Sequence, residues 1–172
     1  MYILRNDFYA KQFNPRIYPK NLLPWCLEKN RIYIVHSSDS FSSVKKGHFM
    51  VLDSLSSSKK ALKICFFDSY GRKFPIPQIK NIIEYNINSC GALFCYNHVK
   101  FQASRSVICA DLCLFFILWR SRGYNLKSIQ TTKFYDSLKK NLERIPLIID
   151  KLLPPEARER RKKKKYNWKD FR

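Results

Sequence analysis

Apolar and polar residues alternate in three short runs in the first half of the chain, which predicts three β-strands. The runs are residues 31–36, 48–55 and 61–68. Only the short polar stretch 56–60 separates the last two runs, so we expect them to pair as an antiparallel hairpin. A Ser-rich loop, 37–47, joins the first strand to the second.

Two segments further along the chain have the apolar spacing of helices. Isoleucines recur through 75–86 after an initial proline, which is typical of a helix that begins at that proline. Residues 107–122 form the most apolar run, closed by basic residues and Gly123. This run includes Asp111 and is shorter than the roughly 20 apolar residues of a membrane span, so it predicts a buried helix.

The remaining segments predict shorter or less regular elements. They are a short helix at 22–28 in an otherwise irregular N-terminal segment, strands at 92–96 and 99–102, and a last helix from Thr131 or Thr132 to Leu153, bent near Pro146. Strands that precede helices indicate an α+β fold. We expect one domain over residues 1–153, followed by an exposed, mobile basic tail at 154–172.

Composition and charge add a partner class to this picture. The 172 residues include 33 basic and 13 acidic side chains, a formal charge of +20. Such a charge favours polyanions, either nucleic acid or an anionic membrane surface, and by itself does not say which. We expect DNA as the partner, bound through the basic surface and the tail, with a monomeric protein and no membrane association. The run RERRKKKK at 158–165 is by default a solvated charged segment, and it also suits a nuclear import signal or a grip on phosphates.

The six cysteines indicate reduced thiols. The first ten residues lack the charged and apolar regions of a secretory signal, so we expect an intracellular protein without structural disulfides. The chain contains no CxxC pair, and Cys95, His98, Cys109 and Cys113 lack the spacing of a zinc finger. We therefore expect no metal site and no cofactor for the chemistry.

Four residues on separate predicted elements suit a thiol nucleophile and its helpers. Cys109 lies in the first turn of the buried helix, where the helix dipole favours a thiolate. His48 starts one strand and Asp68 ends the next, so an imidazole base and an acid that orients it can meet at one end of the hairpin. Gln102, seven residues before Cys109, can donate its amide N–H to an oxyanion.

Each of these residues also has an ordinary structural role open to it. Cys109 can be a packed core cysteine, as we expect for Cys113 one helical turn later. The histidine can be structural, Asp68 can cap the turn that follows it, and Gln102 can be a strand-end amide. Cys90 precedes a glycine and locally looks like a nucleophile, but no glutamine stands six or seven residues before it and no long apolar helix follows.

The segments around these residues resemble the adenovirus endopeptidase (adenain) family and its relatives in Maverick/Polinton elements and large DNA viruses. They are Gly47-His48-Phe49, Phe67-Asp68-Ser69-Tyr70-Gly71, and Gln102 followed after six residues by Cys109. The same residue order occurs in ubiquitin-like-protein proteases. The chain departs from the family pattern at Ala110 and Phe49, where Gly and Trp are usual.

The resemblance implies a papain-like or adenain-like fold, with a central mixed sheet and the nucleophile at the N-terminus of a buried helix. It implies a cysteine endopeptidase with His48, Asp68, Gln102 and Cys109 as catalytic residues, acting on viral or transposon precursor proteins in the nucleus or virion. DNA would serve as an activator. A ubiquitin-like-protein protease and an inactive relative that binds nucleic acid remain alternatives.

Overall fold

The computed structural model describes residues 1–39, 47–55, 61–102, 108–130 and 144–159. The α-helices are α1 (Tyr2–Asn6), α2 (Pro77–Cys90), α3 (Cys109–Ser121), α4 (Leu126–Gln130) and α5 (Ile145–Lys151). Two short 3-10 helices cover Lys11–Phe13 and Lys20–Leu22. In this part of the chain, no helix has the length and apolar composition that a bilayer crossing needs.

One five-stranded mixed sheet forms the centre of the molecule. Its strands are β1 (Arg16–Pro19), β2 (Ile32–His36), β3 (Phe49–Asp53), β4 (Lys63–Phe67) and β5 (Leu93–Tyr96), and they lie side by side in sequence order. The outer pairs, β1–β2 and β4–β5, are parallel, whereas β2–β3 and β3–β4 are antiparallel. Helix α2 provides the crossover that two parallel neighbours such as β4 and β5 require.

The three central strands confirm the strand predictions, and four consecutive residues of each are buried because both faces of the sheet are covered. Each of β2, β3 and β4 falls inside its predicted run, and β3 pairs with β4 in the expected antiparallel sense, with Val51 opposite Phe67. The predicted strand at 92–96 is confirmed as β5. The turn at 56–60 lies outside the described residues.

Three predictions for the other short segments were wrong. Residues 99–102 are not a strand, because the N–H groups of Phe101 and Gln102 both donate to the carbonyl of Ser69, at 2.8 and 2.9 Å, and not to a neighbouring strand. The predicted helix at 22–28 is absent. The N-terminal segment, expected to be irregular, contains α1 and β1. A four-residue strand that ends in proline has too little alternation to be recognised, and its parallel partner is distant in sequence.

The sheet separates two apolar layers. On one face α2 packs against the sheet through residues that include Ile79, Ile82, Ile83, Met50, Leu52, Ile64 and Phe66. On the other face α1, α3 and α5 pack through residues that include Leu4, Val51, Phe67, Leu112, Phe116, Ile117 and Ile149. Helices on both faces of a mixed sheet confirm the α+β class.

Helix α3 is the buried helix that the apolar run predicts. None of its residues is exposed, and Cys109 is its first residue. The ring of Phe116 stacks on Phe67 of β4, with centroids 4.4 Å apart. The chain leaves the helix at Gly123, whose φ of +90° suits glycine.

The C-terminal predictions have mixed outcomes. Helix α5 lies within the predicted last helix, and Pro146 occupies its first turn, where proline is tolerated. The predicted caps Thr131 and Thr132 lie outside the described residues. Within the predicted tail, residues 155–159 are helical. There Arg158 donates to the carbonyl groups of Asp150 and Leu153, at 3.0 and 3.2 Å. Residues 160–172 are outside the described ranges.

Candidate active site

Three of the four predicted catalytic residues form a continuous hydrogen-bonded chain. Nε2 of His48 lies 2.6 Å from Oδ1 of Asp68, whose side chain is fully buried. The thiol of Cys109 forms a hydrogen bond with the same imidazole. The carboxylate occupies Nε2, which leaves Nδ1 as the ring nitrogen available to the thiol. A thiol, an imidazole and a carboxylate therefore stand in the order that a thiol hydrolase requires.

Hydrogen bonds of the His48 main chain hold this segment in place, and Gly47 lies close to the ring of His36. The N–H of His48 donates to the hydroxyl of Ser37 at 2.8 Å, and the N–H of Ser37 donates to the carbonyl of His48 at 2.9 Å. A Cβ at Gly47 would overlap the ring of His36 in its present position, so a larger residue at 47 would require that ring to move. The Gly-His pair in the sequence thus has a structural reason at its first position.

A tight turn after β4 fixes Asp68. The N–H of Gly71 donates to the carbonyl of Asp68 at 2.7 Å. Gly71 has a φ of +72°, and a Cβ there would lie 2.9 Å from the carbonyl carbon of Val99. Asn97 holds the same residue from the side, since its Oδ1 accepts the Asp68 N–H at 2.8 Å and its Nδ2 donates to the Asp68 carbonyl at 2.7 Å. The carboxylate is therefore positioned by contacts on both sides of its backbone.

Two contacts of the Asp68 carboxylate, with Arg72 and with the Tyr70 N–H, were not predicted from the sequence. Arg72 donates from Nε to Oδ2 at 2.6 Å, and the Tyr70 N–H donates to Oδ1 at 3.1 Å. The Tyr70 ring lies 4.9 Å from the His48 ring and 5.0 Å from the Arg72 guanidinium. Burial acts to raise the pKa of Asp68, but the donors His48 and Arg72 outweigh it and lower the pKa. The spacing of Asp68 and Arg72, four residues apart across a turn, was the available sequence signal.

The thiol and the imidazole have pKa values shifted in opposite directions. Burial opposes ionisation of Cys109, yet the hydrogen bond with His48 and the N–H groups of Phe49 and Ala110 lower its pKa. Burial likewise acts against the charged form of His48, but the hydrogen bonds to Asp68 and Cys109 raise its pKa. Together these shifts favour a thiolate–imidazolium pair. The two main-chain donors had no signal in the sequence.

The fourth predicted residue, Gln102, is buried and attached to the turn beside Asp68. The hydroxyl of Ser69 donates to Oε1 of Gln102 at 2.6 Å, and the Gln102 N–H donates to the Ser69 carbonyl at 2.9 Å. The carbonyl end of the amide is thereby fixed against Ser69. Residues 103–107, which follow Gln102, are outside the described ranges.

The other cysteines considered from the sequence have different surroundings. Cys113 is fully buried, and burial raises its pKa well above the usual value, so it packs in the core. Cys90 is exposed at the C-terminal end of α2, and its thiol donates to the carbonyl of Asn86 at 3.0 Å. A helix C-terminus carries partial negative charge, the opposite of what an anionic nucleophile needs.

The fold is similar to crystal structures of the ASFV pS273R protease. One is 15% identical with a TM-score of 0.41, and the alignment covers 64% of this chain and 40% of that chain. Its Se-Met form is 18% identical with a TM-score of 0.41, covering 64% of this chain and 42% of that chain. This chain thus spans less than half the length of the proteins it resembles. No protein family and no curated protein matches it.

Proposed function

We propose that this chain is a cysteine endopeptidase. Cys109 is the nucleophile, His48 the base, Asp68 the residue that orients the imidazole, and Gln102 a donor to the oxyanion. The observation that carries the proposal is the hydrogen-bonded series from the Cys109 thiol through His48 to the buried Asp68 carboxylate, at 2.6 Å between the last two. A cysteine that only packed in the core would not need a base and a buried acid.

The reaction follows from these positions. The Cys109 thiolate attacks the carbonyl carbon of the scissile peptide bond, and the resulting oxyanion accepts hydrogen bonds from the Cys109 main-chain N–H and the Gln102 amide. The residue before α3, Ile108, has no side-chain hydrogen bond to the first turn, so its side chain does not compete with the oxyanion for the N–H groups there. Protonated His48 then gives its proton to the leaving amine. A water deprotonated by His48 hydrolyses the thioester, which restores Cys109.

For substrates we propose precursor proteins of a virus or transposon, cut after small residues such as glycine. Support comes from the resemblance of the Gly47-His48, Phe67–Gly71 and Gln102…Cys109 segments to adenain-like enzymes. A methyl group at Ala110, directly after the nucleophile, reduces the space available to a substrate backbone. This favours substrates that are small at the scissile bond.

Cleavage by the purified protein provides the test. With a peptide mixture as substrate, Cys109→Ala should lower kcat/KM by about 10⁴-fold or more, because no other group can form the acyl-enzyme. Cys90→Ala, which removes the competing candidate nucleophile, should retain activity. Cleavage that persists in Cys109→Ala, or disappears in Cys90→Ala, would refute the assignment. A fluorogenic ubiquitin-family substrate distinguishes the related alternative, since only a ubiquitin-like-protein protease would turn it over efficiently.

A second candidate function is nucleic-acid binding, either as an accessory to proteolysis or, in an inactive relative, as the main role. The formal charge of +20 favours it, and the atypical Ala110 favours the inactive form. The lowered pKa of Cys109 favours an active thiol instead. We propose DNA as an accessory partner of an active, monomeric peptidase that works in the nucleus or in virions.

A further inference from the structure

Two cysteines lie side by side on the sheet, near the C-terminal end of α3. The candidate active site lies at the N-terminal end of the same helix. Cys65 of β4 is the register partner of Cys95 of β5 and, on its other side, of Asp53 of β3. Register partners on adjacent strands project from the same face of a sheet. A row across three strands is therefore formed by Asp53, Cys65 and Cys95. Arg120 of α3 contacts this row, since its Nε and Nη2 each donate to a carboxylate oxygen of Asp53 at 2.8 Å.

The spacing of the two thiols suits a bond between them. Both cysteines are free, and their thiols are hydrogen-bonded to each other. Neighbouring strands lie about 4.8 Å apart. This falls within the range of about 4.4–6.8 Å between the Cα atoms of disulfide-bonded residues. Closing the bond therefore requires rotation of side chains and no movement of the strands past each other.

The two thiols differ in exposure and in acidity. Cys65 is 2% exposed, whereas Cys95 is half-buried, and both line a cavity of about 850 Å³. The hydrogen bond from Cys65 lowers the pKa of Cys95, and Lys63 adds to the effect. The same hydrogen bond, together with burial, raises the pKa of Cys65. The accessible cysteine is thus the one whose pKa is lowered, and the buried cysteine is the one whose pKa is raised.

We propose that Cys65 and Cys95 are a redox modification site, which a peroxide converts reversibly from dithiol to disulfide. The Cys95 thiolate attacks hydrogen peroxide, giving a sulfenic acid and hydroxide. The Cys65 thiol then attacks the sulfenic sulfur, a disulfide forms and water leaves. The two thiols lose two electrons, which the peroxide accepts. Two molecules of glutathione restore the pair. The first thiolate attacks Cys95 from the cavity and displaces Cys65, and the second attacks the mixed disulfide, which releases Cys95 and oxidised glutathione.

The site is separate from the proposed catalytic chemistry. Arg120, which lies 3.9 Å from the Cys65 sulfur, is about three helical turns from Cys109 along α3. Cys109 and Cys113, by contrast, follow each other on one helix, four residues apart. The proposal therefore stands whether or not Cys109 is a nucleophile.

Alkylation after oxidation tests it on the full-length Cys90→Ser variant. This background is needed because Cys90 and Cys95 share one tryptic peptide, 81–100. The reduced protein is treated with hydrogen peroxide, its remaining thiols are blocked with N-ethylmaleimide, and the tryptic peptides are analysed by mass spectrometry. We expect peptide 64–72 linked to 81–100, two fewer alkylated thiols per chain, and reversal by glutathione.

Two further variants in the same background separate the roles of the thiols. Cys65→Ser should trap Cys95 as a sulfenic acid that reacts with dimedone, whereas Cys95→Ser should leave Cys65 reduced and dimedone-negative. Circular dichroism checks that each variant folds. If Cys65→Ser does not fold, the peptide mapping of the oxidised Cys90→Ser protein alone decides whether Cys65 and Cys95 form the disulfide. Linkage between other cysteines, or full alkylation of Cys65 and Cys95 at peroxide concentrations that oxidise Cys109, would overturn the proposal.

Discussion

At the scale of single residues, the candidate site depends on how one carboxylate is shared. Oδ1 of Asp68 accepts from His48 and Oδ2 from Arg72, both at 2.6 Å. The imidazole therefore competes with a guanidinium for the same charge, although the Arg72 side chain is 48% exposed and solvent screens it. The balance leaves the pKa of His48 raised and that of Cys109 lowered.

These opposite shifts predict the pH dependence of thiol reactivity. Because the pKa of Cys109 is lowered, iodoacetamide should still label it near pH 6, where a reference thiol with a pKa of about 8.5 is almost fully protonated. His48→Ala removes the hydrogen bond that offsets burial, so labelling at pH 6 should fall by more than about tenfold, the equivalent of 1.4 kcal/mol.

His98→Ala is the matched control, since it removes a histidine that is not part of the hydrogen-bonded series, and labelling should continue unchanged. Peptide mapping identifies the labelled residue, and the buried Cys113 should stay unmodified. If Cys109 is as inert as Cys113 at pH 6, the activated thiol is ruled out and the nucleic-acid-binding alternative gains support.

Arg72 can be tested as a positioning residue through the pH profile of cleavage. Arg72→Gln removes the competing cation, so the pKa of His48 should rise and the basic limb of kcat/KM should move to higher pH. At the optimum the loss should stay below about tenfold, as expected for a half-exposed ion pair. Lys73→Gln makes the same charge change without the contact to Asp68, and its basic limb should not move. Equal profiles for the two variants would contradict the role assigned to Arg72.

At the scale of elements, α3 connects the site to the sheet. Its first residue is Cys109, and its far end is attached to β3 by the buried ion pair between Arg120 and Asp53. The stacked rings of Phe116 and Phe67 hold the middle of the helix against β4. Since β4 continues directly into Asp68, this packing sets the position of Cys109 relative to Asp68.

Loss of the buried ion pair should therefore destabilise the whole fold. Arg120→Met leaves the Asp53 carboxylate buried without its cation, which costs about 3–5 kcal/mol. Arg122→Met breaks the more exposed pair with Asp7 on the same helical end, and it should cost less than about 1 kcal/mol. Urea denaturation of both variants gives the two free energies of unfolding. Similar values would show that Arg120 does not anchor the helix.

At the scale of the whole molecule, positive charge is distributed well beyond the tail. Residues 154–172 hold nine of the 33 basic and three of the 13 acidic residues, so most of the excess charge belongs to residues 1–153. A polyanion would therefore be attracted to the body of the protein as well as to its C-terminus. Such binding is governed by counterion release and depends steeply on salt.

Substitution of the lysine run tests this distribution. In full-length protein, changing Lys162, Lys163, Lys164 and Lys165 to Gln should lower the slope of log K against log salt for duplex DNA by at most about 3.6, or 0.9 per lost contact. A measurable slope should remain. Fluorescence anisotropy across a salt series provides the measurement, and complete loss of DNA binding in this variant would assign the interaction to the tail alone.

The local patterns of the sequence anticipated the elements that depend on neighbouring residues. The apolar runs predicted β2, β3 and β4, and apolar spacing predicted α2 and α3, because the residues that each of these segments buries can be read along its own length. The strand β1 and the loop at 99–102 were misjudged for the opposite reason. The first depends on parallel pairing with β2, and the second on two hydrogen bonds to Ser69, and both partners are distant in the chain.

By itself, the sequence determined the α+β class and identified His48, Asp68, Gln102 and Cys109 as candidates, since their order and spacing can be read along the chain. Only the tertiary structure decided how they meet. It connected Cys109, His48 and Asp68 by hydrogen bonds, attached Gln102 to Ser69, and brought Arg72 to the acid. It also aligned Cys65 with Cys95. The pKa values of Cys109 and His48, and the proximity of Cys65 to Cys95, depend on distances and burial. Those distances and that burial arise only when distant segments of the chain pack together.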